Sequence, residues 1–148
     1  MNYYQEQNYE KYIEIMFPLD KDLIEKYHIE AGNGEEKCTA RTISDIKTTT
    51  NEDFKFYIIT EGNEVIGFFG EEFNKKYINT IFVSPFYRNK EKMKEIWNLI
   101  SSHFMKPFAT SLYKKNSRCI DFYIKNGAKI KKEFISNNND VVFLVFEV

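Results

Sequence analysis

The hydrophobic period of this chain changes in mid-sequence, from alternation to helical spacing, and that change limits it to folds that lay helices on a sheet. Phe54 to Thr60, Val65 to Phe73 and Tyr77 to Val83 are short strand-like runs, and Glu61-Gly62-Asn63-Glu64 reads as a hairpin turn between the first two. Ser84-Pro85 ends the third run. From Arg88 the period is helical, with Met93, Ile96, Trp97, Ile100 and Phe104 on one face over roughly four turns. Pro107 stops that helix. Phe108 to Tyr113 then reads as a strand and Ser117 to Asn126 as a short helix closed by Gly127. Two further strands, Ala128 to Ser136 and Val141 to Val148, flank the turn sequence 137–140. Upstream, Asp20 suits the N-cap of a helix with Leu23, Ile24, Tyr27 and Ala31 on its apolar face, stopped by Gly32. A weaker helix covers Thr42 to Lys47. The order predicts an α+β or mixed α/β layer.

At 148 residues, with 14 Phe and 10 Tyr, the chain is long and apolar enough to bury one core. No repeat or linker divides it, so one domain is expected. Its apolar runs fall well short of the roughly 20 residues a membrane span needs. Met1 to Glu10 is polar and Tyr-rich, unlike a signal peptide. Cys38 and Cys119 lack metal-site spacing and cannot form a disulfide framework, which points to a reduced, cytoplasmic protein with no metal. Residues 1–74 carry 7 basic and 16 acidic side chains and residues 75–148 carry 14 and 6, so the near-neutral total of -1 conceals two opposed halves. A basic half suits an anionic ligand. Equally, two interleaved halves would neutralise each other.

The run Asn116-Ser117-Arg118-Cys119-Ile120-Asp121-Phe122-Tyr123-Ile124-Lys125-Asn126-Gly127-Ala128 resembles the "N-x-x-A-x-x-F-Y-x-x-x-G-F" segment of the GNAT superfamily of N-acetyltransferases. Ala128 stands where the family has an aromatic. The likeness extends over about residues 54 to 148. It implies a GNAT-type α/β (α+β) fold with a mixed, mostly antiparallel central sheet and helices on both faces. It spans residues 1–148 as one domain, with 1–19 partly irregular. It also implies acetyl-CoA as co-substrate, with Tyr123 as the acid that protonates the leaving thiolate and Asn116 on the pantetheine or pyrophosphate arm. A phenol is chemically suited to that task. Judged without the family, Phe122 and Tyr123 are core aromatics of an amphipathic helix.

A second run, Ile81-Phe82-Val83-Ser84-Pro85-Phe86-Tyr87-Arg88-Asn89-Lys90-Glu91-Lys92-Met93, resembles the family's strand-to-helix motif "V-x-P-x-x-R/Q-x-x-G-x-G/A". There a splayed strand end offers backbone groups to pantetheine and a helix start offers N–H groups to pyrophosphate. Phe82, Val83, Arg88, Asn89, Lys90, Glu91, Lys92 and Met93 are the expected cofactor-binding residues. Both motif glycines are replaced, by Glu91 and Met93. Met93 adds bulk where the backbone should be bare. Glu91 satisfies the helix dipole and repels an anion, at up to about 4 kcal/mol for a like charge at 4 Å near a surface. Arg88, Lys90, Lys92 and Lys94 act in the opposite sense. The expectation is a weakened or reshaped pyrophosphate contact.

Glu71, Glu72 and His103 are the candidates for the base that takes the amine's proton. Adjacent strand residues face opposite ways, so only one of Glu71 and Glu72 can serve, and Glu72 is the choice. His103, near a helix end, is expected at the surface, and His28 is expected to be structural. Neither cysteine has a His or Asp partner at motif spacing, so direct transfer is favoured over a Cys nucleophile. The function expected is acetyl transfer to a primary amine of a small molecule or peptide. The alternative is a GNAT-fold protein that no longer catalyses and serves as a binding or structural subunit, as a homodimer or in a larger assembly or virion. Nucleic-acid binding through Lys129, Lys131 and Lys132 ranks below both, since no recognisable module accompanies them.

Overall fold

The computed structural model describes residues 1–7, 55–136 and 138–147. Seven strands form one sheet in the order β1-β2-β3-β4-β5-β7-β6. They are β1 (Asn2–Glu6), β2 (Lys55–Glu61), β3 (Glu64–Glu72), β4 (Tyr77–Val83), β5 (Phe108–Tyr113), β6 (Ala128–Ser136) and β7 (Asn139–Phe146). A short 3-10 turn, Pro85–Tyr87, and helix α1 (Lys90–His103) join β4 to β5, and helix α2 (Ser117–Lys125) joins β5 to β6. Strands β2 to β7 match the sequence expectation closely. The expected helices at Asp20 to Gly32 and Thr42 to Lys47 lie outside the described residues, as do His28 and Cys38. Among the described residues no helix is long and apolar enough to cross a membrane.

Polar, Tyr-rich Asn2–Glu6 is an edge strand that the sequence reading did not assign, antiparallel to β2 with Tyr3 opposite Ile59. Alternation explains it. Tyr3 turns inward against Tyr57 and Phe69, while Tyr4 is exposed.

Every pair in the sheet is antiparallel except β4–β5. Parallel neighbours need a crossover, which α1 supplies, and crossovers are almost always right-handed. The next crossover, through α2, advances the same way across the sheet, so both helices cover one face. Trp97 of α1 joins them there, with its ring 5.5 Å from Tyr123 of α2 and 5.2 Å from Phe146 of β7. Ile96, Ile100 and Phe104 complete the buried stripe that the periodicity predicted. On the opposite face Phe56, Ile58, Phe68 and Phe82 are buried as well.

Two backbone features shape the middle of the sheet. Ser84 donates its N–H to the Ile66 carbonyl at 2.7 Å, so Val83 and Gly67 face each other as a close, non-hydrogen-bonded pair. Gly67 is required there, because a Cβ would strike the Phe82 carbonyl oxygen. Further along, Gly70 is opposite Thr80 while Glu71 is opposite Ile78, which leaves Asn79 as the extra residue of a bulge in β4. The turn from β3 to β4 holds three consecutive non-glycine residues in the left-handed region, Phe73, Asn74 and Lys75, at φ 56°, 52° and 68°. Its contacts hold it in place, with Lys75 N–H on Glu71 Oε2 at 2.8 Å and Met105 N–H on the Lys75 carbonyl at 3.0 Å.

Candidate functional site

The parallel ladder between β4 and β5 stops after two rungs, Tyr77 with Ala109 and Ile78 with Thr110. Thr110 Oγ1 donates to the Ile78 carbonyl at 3.0 Å at the point where the strands part. Beyond it, β5 stays paired with β7 and β4 with β3, so a wedge opens between them toward their C-terminal ends. Since Ser84 points its N–H at β3, the alternate residues Val83 and Ile81 point their backbone groups into the wedge. This is the splayed strand end that the sequence motif implied. α1 and α2 both start at its mouth, outside the carboxyl ends of two parallel strands, a place where ligands commonly bind.

The residues named from the sequence fall into two groups along this wedge. At the mouth stand Val83, Arg88, the α1 start and Asn116. Arg88 folds back, donating Nε–H to the Val83 carbonyl at 2.7 Å with its guanidinium over the Phe82 ring. Asn116 occupies the N-cap of α2 but makes no side-chain cap bond. Its Oδ1 is buried without a hydrogen-bond partner among the described residues. Cys119 sits beside it. Burial pushes that thiol up, against the pull of a hydrogen bond from the Asn116 side chain and the charge of Arg88.

Asn89 behaves in the opposite way. It caps α1, its Oδ1 accepting the Lys92 N–H at 2.9 Å and its carbonyl accepting the Met93 N–H at 2.9 Å. Lys92 is turned to Glu61 of the β2–β3 hairpin at 2.6 Å, and Tyr87 donates its hydroxyl to Glu64 of the same hairpin at 2.6 Å. Lys90 and Glu91 are exposed, whereas Met93 packs against the core.

Tyr123 and Glu72 lie on opposite faces of the sheet. The Tyr123 ring is buried against Trp97 and Phe146, and Phe146 stacks on Phe108, two residues before Thr110. Glu72 lies opposite Tyr77 and accepts a hydrogen bond from Asn79 at the bulge. Six residues of strand separate Tyr77 from Val83, so Glu72 is roughly 20 Å from the mouth and close only to the vertex. The basic trio of β6 is elsewhere. Lys129 and Lys131 pair with Glu147, and Lys132 covers the Phe134 ring.

His103 is buried, contrary to the surface position expected of it. It follows Ile96 and Ile100 on the inward stripe of α1, a spacing visible in the sequence beneath its polar character. Its Nε2 meets Glu71 Oε1 at 2.7 Å, and Tyr57 donates to the same oxygen at 2.6 Å. Tyr3 lies 3.2 Å from Nδ1. Burial pushes Glu71 up, but hydrogen bonds from Tyr57, His103 and the Lys75 amide outweigh it and hold the carboxyl below its ordinary range. Burial lowers His103 more than Glu71 raises it. The pair is therefore a neutral imidazole donating Nε2–H to a carboxylate, with Nδ1 accepting from Tyr3. Burial and Glu71 together push the Tyr57 phenol far up, so it stays protonated. This network lies among aromatic rings at the base of the sheet and takes Glu71 away from the wedge.

No protein-family model matches the sequence, and no curated protein matches it. Solved structures do match the fold. An acetyltransferase from Streptococcus agalactiae is 21% identical, with 99% of this chain and 98% of that one covered and a TM-score of 0.62. PaiA N-acetyltransferase from Thermoplasma acidophilum, solved in complex with coenzyme A, is 15% identical over 97% and 98%, with a TM-score of 0.61. An acetyltransferase of the GNAT family from Bacillus cereus is 14% identical over 99% and 98%, with a TM-score of 0.57. Identities this low speak to fold alone, and with the interrupted β4–β5 ladder they establish that this chain has the GNAT acetyltransferase fold.

Proposed function

We propose that this protein is an N-acetyltransferase that moves an acetyl group from acetyl-CoA to a primary amine of a small molecule or peptide. The observation that carries the reading is the β4–β5 wedge. Its backbone edge, the two Ile81 groups and the Val83 N–H, suits the amides of a pantetheine arm, and buried backbone groups need such partners. Asn116, an N-cap residue that does not cap, adds a buried acceptor at the same place. The binding of coenzyme A by the Thermoplasma acidophilum protein of the same fold supports the choice of donor.

The thioester supplies an acyl carbon, and the amine nitrogen attacks it. Ile81 N–H, facing the wedge, is placed to donate to the carbonyl oxygen as charge develops there. The carbon–sulfur bond breaks and the thiolate takes the Tyr123 proton on the helical face. The amine's proton passes to Glu72 on the other face, directly or through one water. Asn79 holds the Glu72 carboxylate for that role.

A coupled assay that follows thiol release from acetyl-CoA across a panel of polyamines and amine-bearing peptides tests this. Amine-dependent release is expected. No release with any amine, together with no binding of acetyl-CoA at millimolar concentration, sinks it. One observation favours the second reading, a GNAT-fold binding or structural subunit: the α1 start bonds to its own protein through Asn89 and Lys92. Donor binding with no turnover under any condition would select that reading.

A further inference from the structure

The two helix starts at the wedge are in opposite states. Asn116 leaves the α2 start uncapped, whereas the α1 start, where the family motif holds pyrophosphate, bonds to the protein itself. The Asn89 side chain takes the Lys92 N–H, one of the first-turn donors that the helix itself leaves free. Glu61 holds the Lys92 ammonium, with Glu95 at 3.4 Å from it, and Glu64 takes the Tyr87 hydroxyl. Glu91 stands in the first turn and adds a negative charge there. The hairpin carboxylates Glu61 and Glu64 thus lie against the loop that a pyrophosphate would have to approach, and an incoming anion must displace one of them. In the wedge below, Arg88 takes the Val83 carbonyl, while the Val83 N–H and both Ile81 backbone groups face the opening between β4 and β5.

We propose that the acyl donor is recognised through its pantetheine arm alone, so that a phosphopantetheine thioester lacking the nucleotide half serves as well as acetyl-CoA. This inference rests on the acyltransferase reading of the same wedge. The shared chemistry is an acyl-phosphopantetheine, free or carried on a protein.

Calorimetric titration of the full chain with coenzyme A, 4′-phosphopantetheine and adenosine 3′,5′-bisphosphate tests it without relying on turnover. Dissociation constants for the first two within about threefold, with no heat from the bisphosphate at millimolar concentration, are expected. Coenzyme A binding more than about tenfold tighter than phosphopantetheine, or measurable bisphosphate binding, overturns the inference and leaves the acyltransferase reading standing. No binding of either pantetheine compound overturns both. The double variant Glu61→Gln/Glu91→Gly, checked for an unchanged thermal midpoint, is expected to tighten coenzyme A by about fivefold and phosphopantetheine, with its single phosphate, by less than about twofold. Equal changes for the two ligands, or none, would show that the hairpin carboxylates do not exclude the nucleotide. Acetyl-phosphopantetheine offered free and on an acyl carrier protein then separates the sources. A higher kcat/KM for the carrier form assigns a protein-borne donor, and parity assigns the free thioester.

Discussion

Glu71 Oε1 and His103 Nε2 stand 2.7 Å apart, 32 residues distant in sequence, and tie the end of β3 to the end of α1. Tyr57 and Tyr3 extend the contact, so β1, β2, β3 and α1 meet at one buried carboxylate. Both titrating partners are held below their ordinary values, 6.5 for His103 and 4.5 for Glu71. Between each ordinary value and its lowered one, the unfolded chain binds more protons than the folded chain, so stability falls as pH falls. Loss begins below pH 6.5 with His103 and continues below pH 4.5 with Glu71. Urea midpoints measured from pH 7.5 down to about 4 should decline in that order. His103→Gln should remove the first part of the decline. A flat midpoint between the two ordinary values would contradict the assignment of a neutral buried imidazole.

Glu71 and Glu72 are neighbours of one type with opposite surroundings. Glu71→Ala leaves three donors facing a buried void and should cost about 3–5 kcal/mol of unfolding free energy. Glu72→Ala, at a partly exposed position, should cost less than about 1 kcal/mol. Denaturant titrations of the two variants side by side check the contrast.

Gly67→Ala drives a methyl group into the Phe82 carbonyl and to 3.3 Å from Val83 Cα. The atoms it meets are backbone, which cannot swing aside, so β3 and β4 must separate. A loss of about 2–3 kcal/mol is expected, readable as a lowered urea midpoint. Because Val83 borders the wedge, donor affinity should fall as well.

The left-handed turn at Phe73 to Lys75 offers a gain. Lys75→Gly removes a Cβ from a residue at φ 68° and keeps the backbone N–H that Glu71 uses. Thermal unfolding should show stabilisation of about 1 kcal/mol. A loss instead would mean that Lys75 contributes through its side chain.

On the reaction itself, Tyr123→Phe keeps the ring packing against Trp97 and Phe146 and removes only the hydroxyl. Turnover should fall about 100-fold with little change in acetyl-CoA affinity. Unchanged turnover would reduce Tyr123 to a core aromatic. Glu72→Gln should lower turnover similarly while leaving acetyl-CoA affinity unchanged, a split that a purely structural role would not produce.

Periodicity along the chain was enough to assign β2 through β7 and both described helices, because it depends on residues a few positions apart. The glycine losses at Glu91 and Met93 were legible for the same local reason. Strand alternation showed that Glu71 and Glu72 part company, yet the inward member depends on the pairing of β3 with β4 and on where α1 ends. His103 lay on the apolar stripe of its helix and still looked like a surface residue, since the carboxylate that satisfies it comes from another strand. Asn89 and Asn116 hold the same kind of position in the sequence, the residue before a helix, and only one of them caps. The difference lies in what surrounds each start: the β2–β3 hairpin turns Lys92 away from the first, and Arg88 and Cys119 border the second. Local spacing encodes elements, but the fate of a polar group is set by partners far along the chain. Burial makes those partners decisive, because a polar atom out of water must find one or carry a large free-energy cost.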